Sequence, residues 1–299
     1  MSKVSHSTLV RQSGNHFGQK LKIFFGNYSN GLIERKIVTF GDVTALKPSR
    51  AWSFFSVVVL LATWQLITAT GWVSPIWLPG PHAVWDSFIQ VANVGYRNYT
   101  LWQHIFWSMY RIFVGFFFAC VIGIPLGLAM GLVGPLRGWL DPIVEFARPI
   151  PPLALIPLII IWYGIGEKSK IILLFLAALW VMVLAARAGA SRVSLNKVLA
   201  AYSLGASKPQ ILRYVIIPNA LGEIMTGMRV ALGVCWGTVV AAEMVAADKG
   251  VGMMIMVASK FLQTDIVLMG IIVIGIIGYA TDILMRKLEM KLIPWKGKS

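Results

Sequence analysis

Leu199–Pro218 reads LAAYSLGASKPQILRYVIIP, a polar and basic interruption between two long apolar runs. Small residues at Ala200, Ala201, Gly205 and Ala206, followed by Ser207, leave a bare surface that another protein can approach closely. Arg192, Lys197, Lys208 and Arg213 surround it, and no acidic residue lies between Ala185 and Leu221. Such a segment on the cytoplasmic side of a membrane protein is either a solvated connector or a docking element. The apolar runs on either side decide that the setting is a membrane.

Those runs dominate the composition. The chain has 299 residues, is 57% hydrophobic and only 13% charged, where soluble domains carry about 25% charge. Several runs reach the roughly 20 residues needed to cross a bilayer. The expected class is therefore all-α: a polytopic transmembrane helical protein. Spans are expected at about Trp52–Trp72, Ile105–Leu132, Trp139–Tyr163, Ile171–Ala188, Asn219–Val245 and Asp265–Met285. Residues 1–50 form a basic tail, 51–104 the first span and an outer loop, 105–286 the core, and 287–299 a second basic tail.

The N-terminal tail holds eight Lys or Arg against Glu34 and Asp42. It is too long for the basic part of a signal peptide, and no small-residue cleavage site follows the first apolar run. A short amphipathic helix near Leu21–Phe25 is its expected feature. Cys120 and Cys235 fall inside apolar runs and read as small packing residues.

A formal net charge of +15 suits either nucleic-acid binding or a positive-inside membrane protein. Six spans put both termini on one side. On that side fall 19 of the 27 Lys and Arg residues, in the two tails with Arg286 beside the second, the Arg137 turn and the 187–213 loop. This bias fixes both termini in the cytoplasm and removes the need for nucleic acid.

Inside the spans, Gly123, Gly127 and Gly131 recur every fourth residue, as do Gly233 and Gly237. Small residues at that spacing let helix backbones approach. Pro149, Pro151, Pro152 and Pro157 break the third span. Irregular backbone at membrane depth is tolerated when buried in protein or lining a wet cavity. Glu145–Pro157 is thus either pathway-lining structure or a kinked packing helix with Glu145 and Arg148 paired at i, i+3. Arg111, near the outer end of its span, like Arg148 and Arg229, either snorkels or pairs with a carboxylate. The pathway-lining candidates are Arg148, Pro149, Pro151, Pro152, Arg229 and Glu243. Gly134–Asp141 reads as a turn, and residues 246–264 as an outer loop.

No phosphate-binding loop is present. Gly297-Lys298-Ser299 closes the chain, but Leu292 stands five positions before Gly297. The intramembrane carboxylates Glu145, Glu223, Glu243 and Asp282 are scattered, and no His lies in an expected span. Neither a catalytic cluster nor the ion-coupling pattern of a secondary carrier emerges. The chain reads as half of a device that takes its energy from elsewhere.

LAAYSLGASKPQILRYVIIP resembles the cytoplasmic signature of ABC importer permeases: Glu-Ala-Ala, three residues, Gly, nine residues, then Ile-x-Leu-Pro. The match runs through Ala200, Ala201, Gly205 and Pro218, with Val215 and Ile217 at the apolar positions. Leu199 stands where the pattern has Glu, and Gly222 where many members have Pro. The likeness extends over roughly residues 50–296. TLWQHIFWSMYRIFVGFFFACVIGIPLGLAMG (100–131), DPIVEFARPIPPLALIPLIIIWYGIGEKSK (141–170) and PWKGK (294–298) are similar to permeases of the nitrate, sulfonate and taurine branch. RPIPPLALIPLIIIWYGIGE looks most like taurine permeases.

The resemblance implies a type I ABC importer permease fold with a coupling helix at about 193–213. It implies a second copy of the chain, two ATP-binding cassette subunits that hold ATP and Mg, and a periplasmic substrate-binding protein. This chain then holds no cofactor or metal and does no chemistry itself. It sits in the inner membrane and passes a small anion, taurine or another aliphatic sulfonate. Nitrate or bicarbonate is the alternative cargo. A six-span scaffold and a secondary carrier are the readings outside the class.

Overall fold

The structure is a computed structural model that describes residues 50–294. The N-terminal tail, its expected helix near Leu21–Phe25, and the tail residues from Trp295 onward lie outside the described residues. Eleven helices follow in order among the described residues. They are α1 (Arg50–Ala69), α2 (Pro81–Asn93), α3 (Leu101–Leu132), α4 (Gly134–Ala147), α5 (Ile156–Tyr163), α6 (Glu167–Ser191), α7 (Leu195–Ser203), α8 (Lys208–Ile211), α9 (Ile217–Ala246), α10 (Val251–Lys260) and α11 (Thr264–Leu292). A 3₁₀ turn, Pro152–Leu155, precedes α5, and a π turn, Leu212–Ile216, joins α8 to α9.

Four described helices are long and apolar enough to cross a membrane: α3, α6, the continuous Lys208–Val245 and α11. The pair Gly134–Ala147 and Pro152–Tyr163 meets the same test as a broken span bent by 88°. α1 has 20 residues, about the length a span requires.

The core is built on two helices that run side by side in the same direction. Gly115, Ala119, Gly123, Gly127 and Gly131 form one fourth-residue row on α3. Leu174, Ala178, Met182, Ala186 and Ala190 form the facing row on α6. A Cβ added at Gly123 would meet the Met182 Cβ at 2.8 Å, and one at Gly131 the Ala190 Cβ at 2.6 Å. The glycines are therefore required for this approach. In lipid no hydrophobic force drives apolar helices together, so close van der Waals contact of this kind holds the pair. α9 packs on the other side of α6, where Gly189 lies against Ala220 and Gly227 against Ala185.

Gly233 and Gly237 behave differently from the expectation. No described residue comes within 4 Å of a Cβ built at either. They face away from α6, toward a side of α9 that the described residues leave uncovered.

A second apolar cluster gathers Val84, Val91, Leu101, Val251, Met254, Ala258, Ile266 and Met269 from α2, α3, α10 and α11. The expected loop 246–264 thus contains a buried ten-residue helix, α10, too short to register as a span. The expected turn at Gly134–Asp141 is the first half of α4, with Pro135 at a helix start where its missing N–H costs little. The span expected from Asn219 begins at Lys208. Ile217 N–H donates to the Leu212 carbonyl five residues back, and this wider turn carries the helix past Pro218.

Candidate docking element and transmembrane pathway

The docking segment is built by local rules. Ser194, in extended conformation, precedes α7. The helix closes on a pair of bonds that wrap its end: Ala206 N–H donates to the Ala201 carbonyl at 3.0 Å, and Gly205 N–H to the Tyr202 carbonyl at 2.9 Å. This closure needs a left-handed residue, and Gly205 supplies it with φ +80°. Ser207 then starts α8, with its N–H donating to Gln210 Oε1 at 2.7 Å.

Ala200 and Gly205 are exposed, while Ala201 and Ala206 are half-buried. The larger feature is apolar. Leu195, Leu199 and Tyr202, at i, i+4 and i+7, share one face of α7 and are 68%, 51% and 46% exposed; Leu204 follows at 88%. Leu199, where the family pattern has Glu, lies in the middle of this row. Sequence reading missed Leu195 and Tyr202. Their helical spacing on an otherwise polar segment was the available signal.

Side chains tie this element to the spans. Lys197 Nζ donates to Asn219 Oδ1 at 3.0 Å. Arg192 at the end of α6 pairs with Glu223 on α9. Arg187 and Arg137 both pair with Asp141, joining α6 to α4.

The broken span places Arg148 and Pro152 on a cavity of about 450 Å³. Trp180 of α6 and Val230 and Val234 of α9 line its other sides. Pro149 and Pro151 are exposed and do not line it. Among the described residues Arg148 forms no ion pair with Glu145 or any other carboxylate. The kinked-packing alternative, which rests on a Glu145–Arg148 pair, therefore lacks that pair.

Arg229 is a different case. Its Nε donates to Asp282 Oδ1 at 3.0 Å, and its Nη1 reaches Glu289 Oε2 at 3.4 Å. It joins α9 to α11 with its charge already answered.

The start of α3 separates the two readings of Arg111 and moves one span boundary. Arg111 does not snorkel: it is wholly buried. Its Nε and Nη2 donate to the two Glu167 oxygens at 2.6 and 2.7 Å, and its Nη1 to Glu243 Oε1 at 2.6 Å and the Lys249 carbonyl at 2.9 Å. Glu243 is correspondingly enclosed, 1% exposed. It accepts from Ser108 Oγ and Gly252 N–H at 2.8 Å each, so within this chain it lines no lumen. A buried charge persists only when paired and hydrogen-bonded, and this group meets both conditions.

α3 also begins at Leu101 rather than Ile105, which brings His104 inside the span, wholly buried. Gly250 N–H donates to its Nδ1 at 3.0 Å, and its Nε2 lies 3.1 Å from the Tyr96 carbonyl. Nδ1 also lies 3.1 Å from the Gly250 carbonyl, so the ring ties the start of α3 to the loop before α10.

The fold defines a class, a multi-pass helical membrane protein with four long apolar helices and a broken fifth among the described residues. Residues 123–294 match the family described as binding-protein-dependent transport system inner membrane component, and the chain belongs to it, as a multi-pass inner-membrane protein.

Among its relatives, the taurine transport system permease protein TauC of Escherichia coli is 46% identical over 82% of this chain and 90% of its own length. The putative aliphatic sulfonates transport permease protein SsuC of the same organism is 37% identical over 81% and 90%. The nitrate import permease protein NrtB of Synechocystis is 31% identical over 81% and 89%. An inward-facing structure of the MetNI methionine ABC transporter shares the fold, with a TM-score of 0.57 at 20% identity, over 64% of this chain and 95% of that one.

Proposed function

We propose that this chain is the permease of an ATP-driven importer for taurine or another aliphatic sulfonate. The observation that carries the reading is the exposed apolar row Leu195, Leu199 and Tyr202 on a helix tied to the spans. A surface helix that leaves such a row uncovered is a docking face, and here the partner is an ATP-binding cassette subunit. The relative named for taurine, at 46% identity over most of both chains, gives the cargo. The nitrate-named relative, at 31%, keeps small inorganic anions as the second reading.

The chain has six spans, counting α1 and the broken pair, and both termini lie in the cytoplasm. Two copies assemble, each turning the uncovered face that holds Val230, Gly233, Val234 and Gly237 toward the other. ATP and Mg act on the partner subunits, and a periplasmic binding protein delivers the cargo to the outer surface. Nucleotide-driven closure of the ATPases moves α7. Lys197–Asn219 and Arg192–Glu223 pass that motion to α9, which lines the cavity. This chain orients and conducts, and the hydrolysis belongs to its neighbour.

The test is uptake of labelled taurine into vesicles holding this chain, the ATPase and the binding protein. Uptake should require ATP on the ATPase side together with both partners. Uptake driven by an ion gradient, with neither partner present, would mark a secondary carrier.

A further inference from the structure

Four arginines of the helical core, of which Arg148 is exposed within this chain, fall into two kinds among the described residues. Arg111, Arg187 and Arg229 each hold one or two carboxylates. Arg148 holds none, and it alone of the four lines the cavity of about 450 Å³, within the roughly 300–1,000 Å³ usual for a ligand pocket. Trp180 lines the same cavity from α6. It is half-buried, and its indole N–H donates to no partner among the described residues. Of the other half-buried tryptophans, Trp64 donates to the Pro79 carbonyl and Trp236 to Thr281 Oγ1, while Trp107, away from this cavity, likewise has no acceptor for its N–H among the described residues. A buried Trp N–H normally finds an acceptor. The remaining lining is almost wholly aliphatic, with Leu176, Leu184, Val230 and Val234.

A cavity with apolar walls and two idle donors, one of them cationic, calls for an acceptor-rich anion with a small apolar body. A guanidinium suits such a group because it offers two parallel N–H donors. A sulfonate presents three acceptor oxygens on a short alkyl chain and has no donor of its own on that end.

We propose that Arg148 and Trp180 form a sulfonate-recognition site inside the membrane, which the cargo occupies on its way through. The proposal rests on the importer reading above and names the group of the cargo that is read. Arg148 takes two sulfonate oxygens and the indole N–H the third, while the aliphatic walls take the alkyl chain. No bond is made or broken. One cation without a carboxylate partner attracts the anion without a second charge to hold it there, which suits a transit site.

The experiment measures initial uptake of taurine and of ethanesulfonate by the reconstituted complete importer. It compares wild type, Arg148→Gln, Arg148→Lys and Trp180→Phe, each checked for assembly by size-exclusion chromatography. Arg148→Gln should slow uptake of both sulfonates about tenfold or more, the size of one charge-assisted hydrogen bond. Arg148→Lys keeps the charge without the fork and should fall between Arg148→Gln and wild type. Trp180→Phe keeps the ring without the N–H and should lose about threefold to tenfold. Wild-type rates in Arg148→Gln or in Trp180→Phe overturn the site. If Arg148→Gln fails to assemble, a wild-type rate in Arg148→Lys overturns it equally. If the wild-type complex itself imports neither sulfonate, the importer reading falls as well, which separates the two failures.

Discussion

Arg111 Nη1 donates to Glu243 Oε1 at 2.6 Å, and neither side chain exposes any surface to solvent. The same guanidinium grips both Glu167 oxygens, so one residue of α3 fastens the start of α6 and the end of α9. Removing one partner from a buried pair costs about 3–5 kcal/mol, because the other charge is left unanswered. Arg111→Met should therefore lower the thermal unfolding midpoint in detergent more than Glu243→Gln does. Glu167→Gln should have the smallest effect, since the Glu167 side chain is 36% exposed. Equal effects from all three variants would show that the cluster does not act as a hub.

The α3–α6 seam makes a steric prediction. A Cβ at Gly127 would collide with the Val183 carbonyl and lie 2.8 Å from the Ala186 Cβ. Overpacking of this kind costs about 1–3 kcal/mol, so Gly127→Ala should lower the unfolding midpoint. At Gly138, in α4, no described residue lies within 4 Å, and alanine gains up to about 1 kcal/mol of helix propensity. Gly138→Ala should hold or raise the midpoint.

Gly205 separates backbone from side chain. Its φ of +80° costs a non-glycine residue about 1–2 kcal/mol, with Asn the best tolerated. A Cβ there meets no described residue within 4 Å, so under the proposed docking a side chain there would meet the partner. Gly205→Asn should retain most binding-protein-stimulated ATP hydrolysis, Gly205→Ala less, and Gly205→Trp none. Normal transport by Gly205→Trp would remove the docking reading.

Arg229 and Arg148 are the contrasting pair for transport. Arg229 is already answered by Asp282 and Glu289 and is more than a quarter exposed, and partly exposed pairs contribute little. Arg229→Gln should import taurine within about twofold of wild type, where Arg148→Gln does not. A loss at Arg229 as large as that at Arg148 would show that the free charge is not what matters.

Much of this was legible in the sequence, for stated reasons. Fourth-residue glycines on α3 predict a close helix seam because spacing alone puts them on one face. The prolines at 149, 151 and 152 predict the break because each withdraws an N–H from the helical ladder. The Arg111 hub was not legible, since its partners stand 56 and 132 residues away and only the fold unites them. α10 was hidden because a mostly apolar stretch of ten residues fits a loop, a span fragment and a buried helix alike. Gly205 was read as bare surface, whereas its backbone angle is what the helix end requires. Trp180 carried a signal, a lone indole in mid-span, but only the structure puts it on the same cavity as Arg148.

The central claim is that work done by an ATP-binding neighbour enters through the apolar row on α7. Its most direct test is to purify this chain from its own membranes, as wild type and as Leu195→Asp/Leu199→Asp, and to identify what stays bound. The wild-type chain should carry an ATP-binding cassette subunit in equal amount. The double variant should lose it while keeping the unfolding midpoint of its spans. An ATPase absent from the wild-type complex, or bound equally well by the variant, would contradict the account.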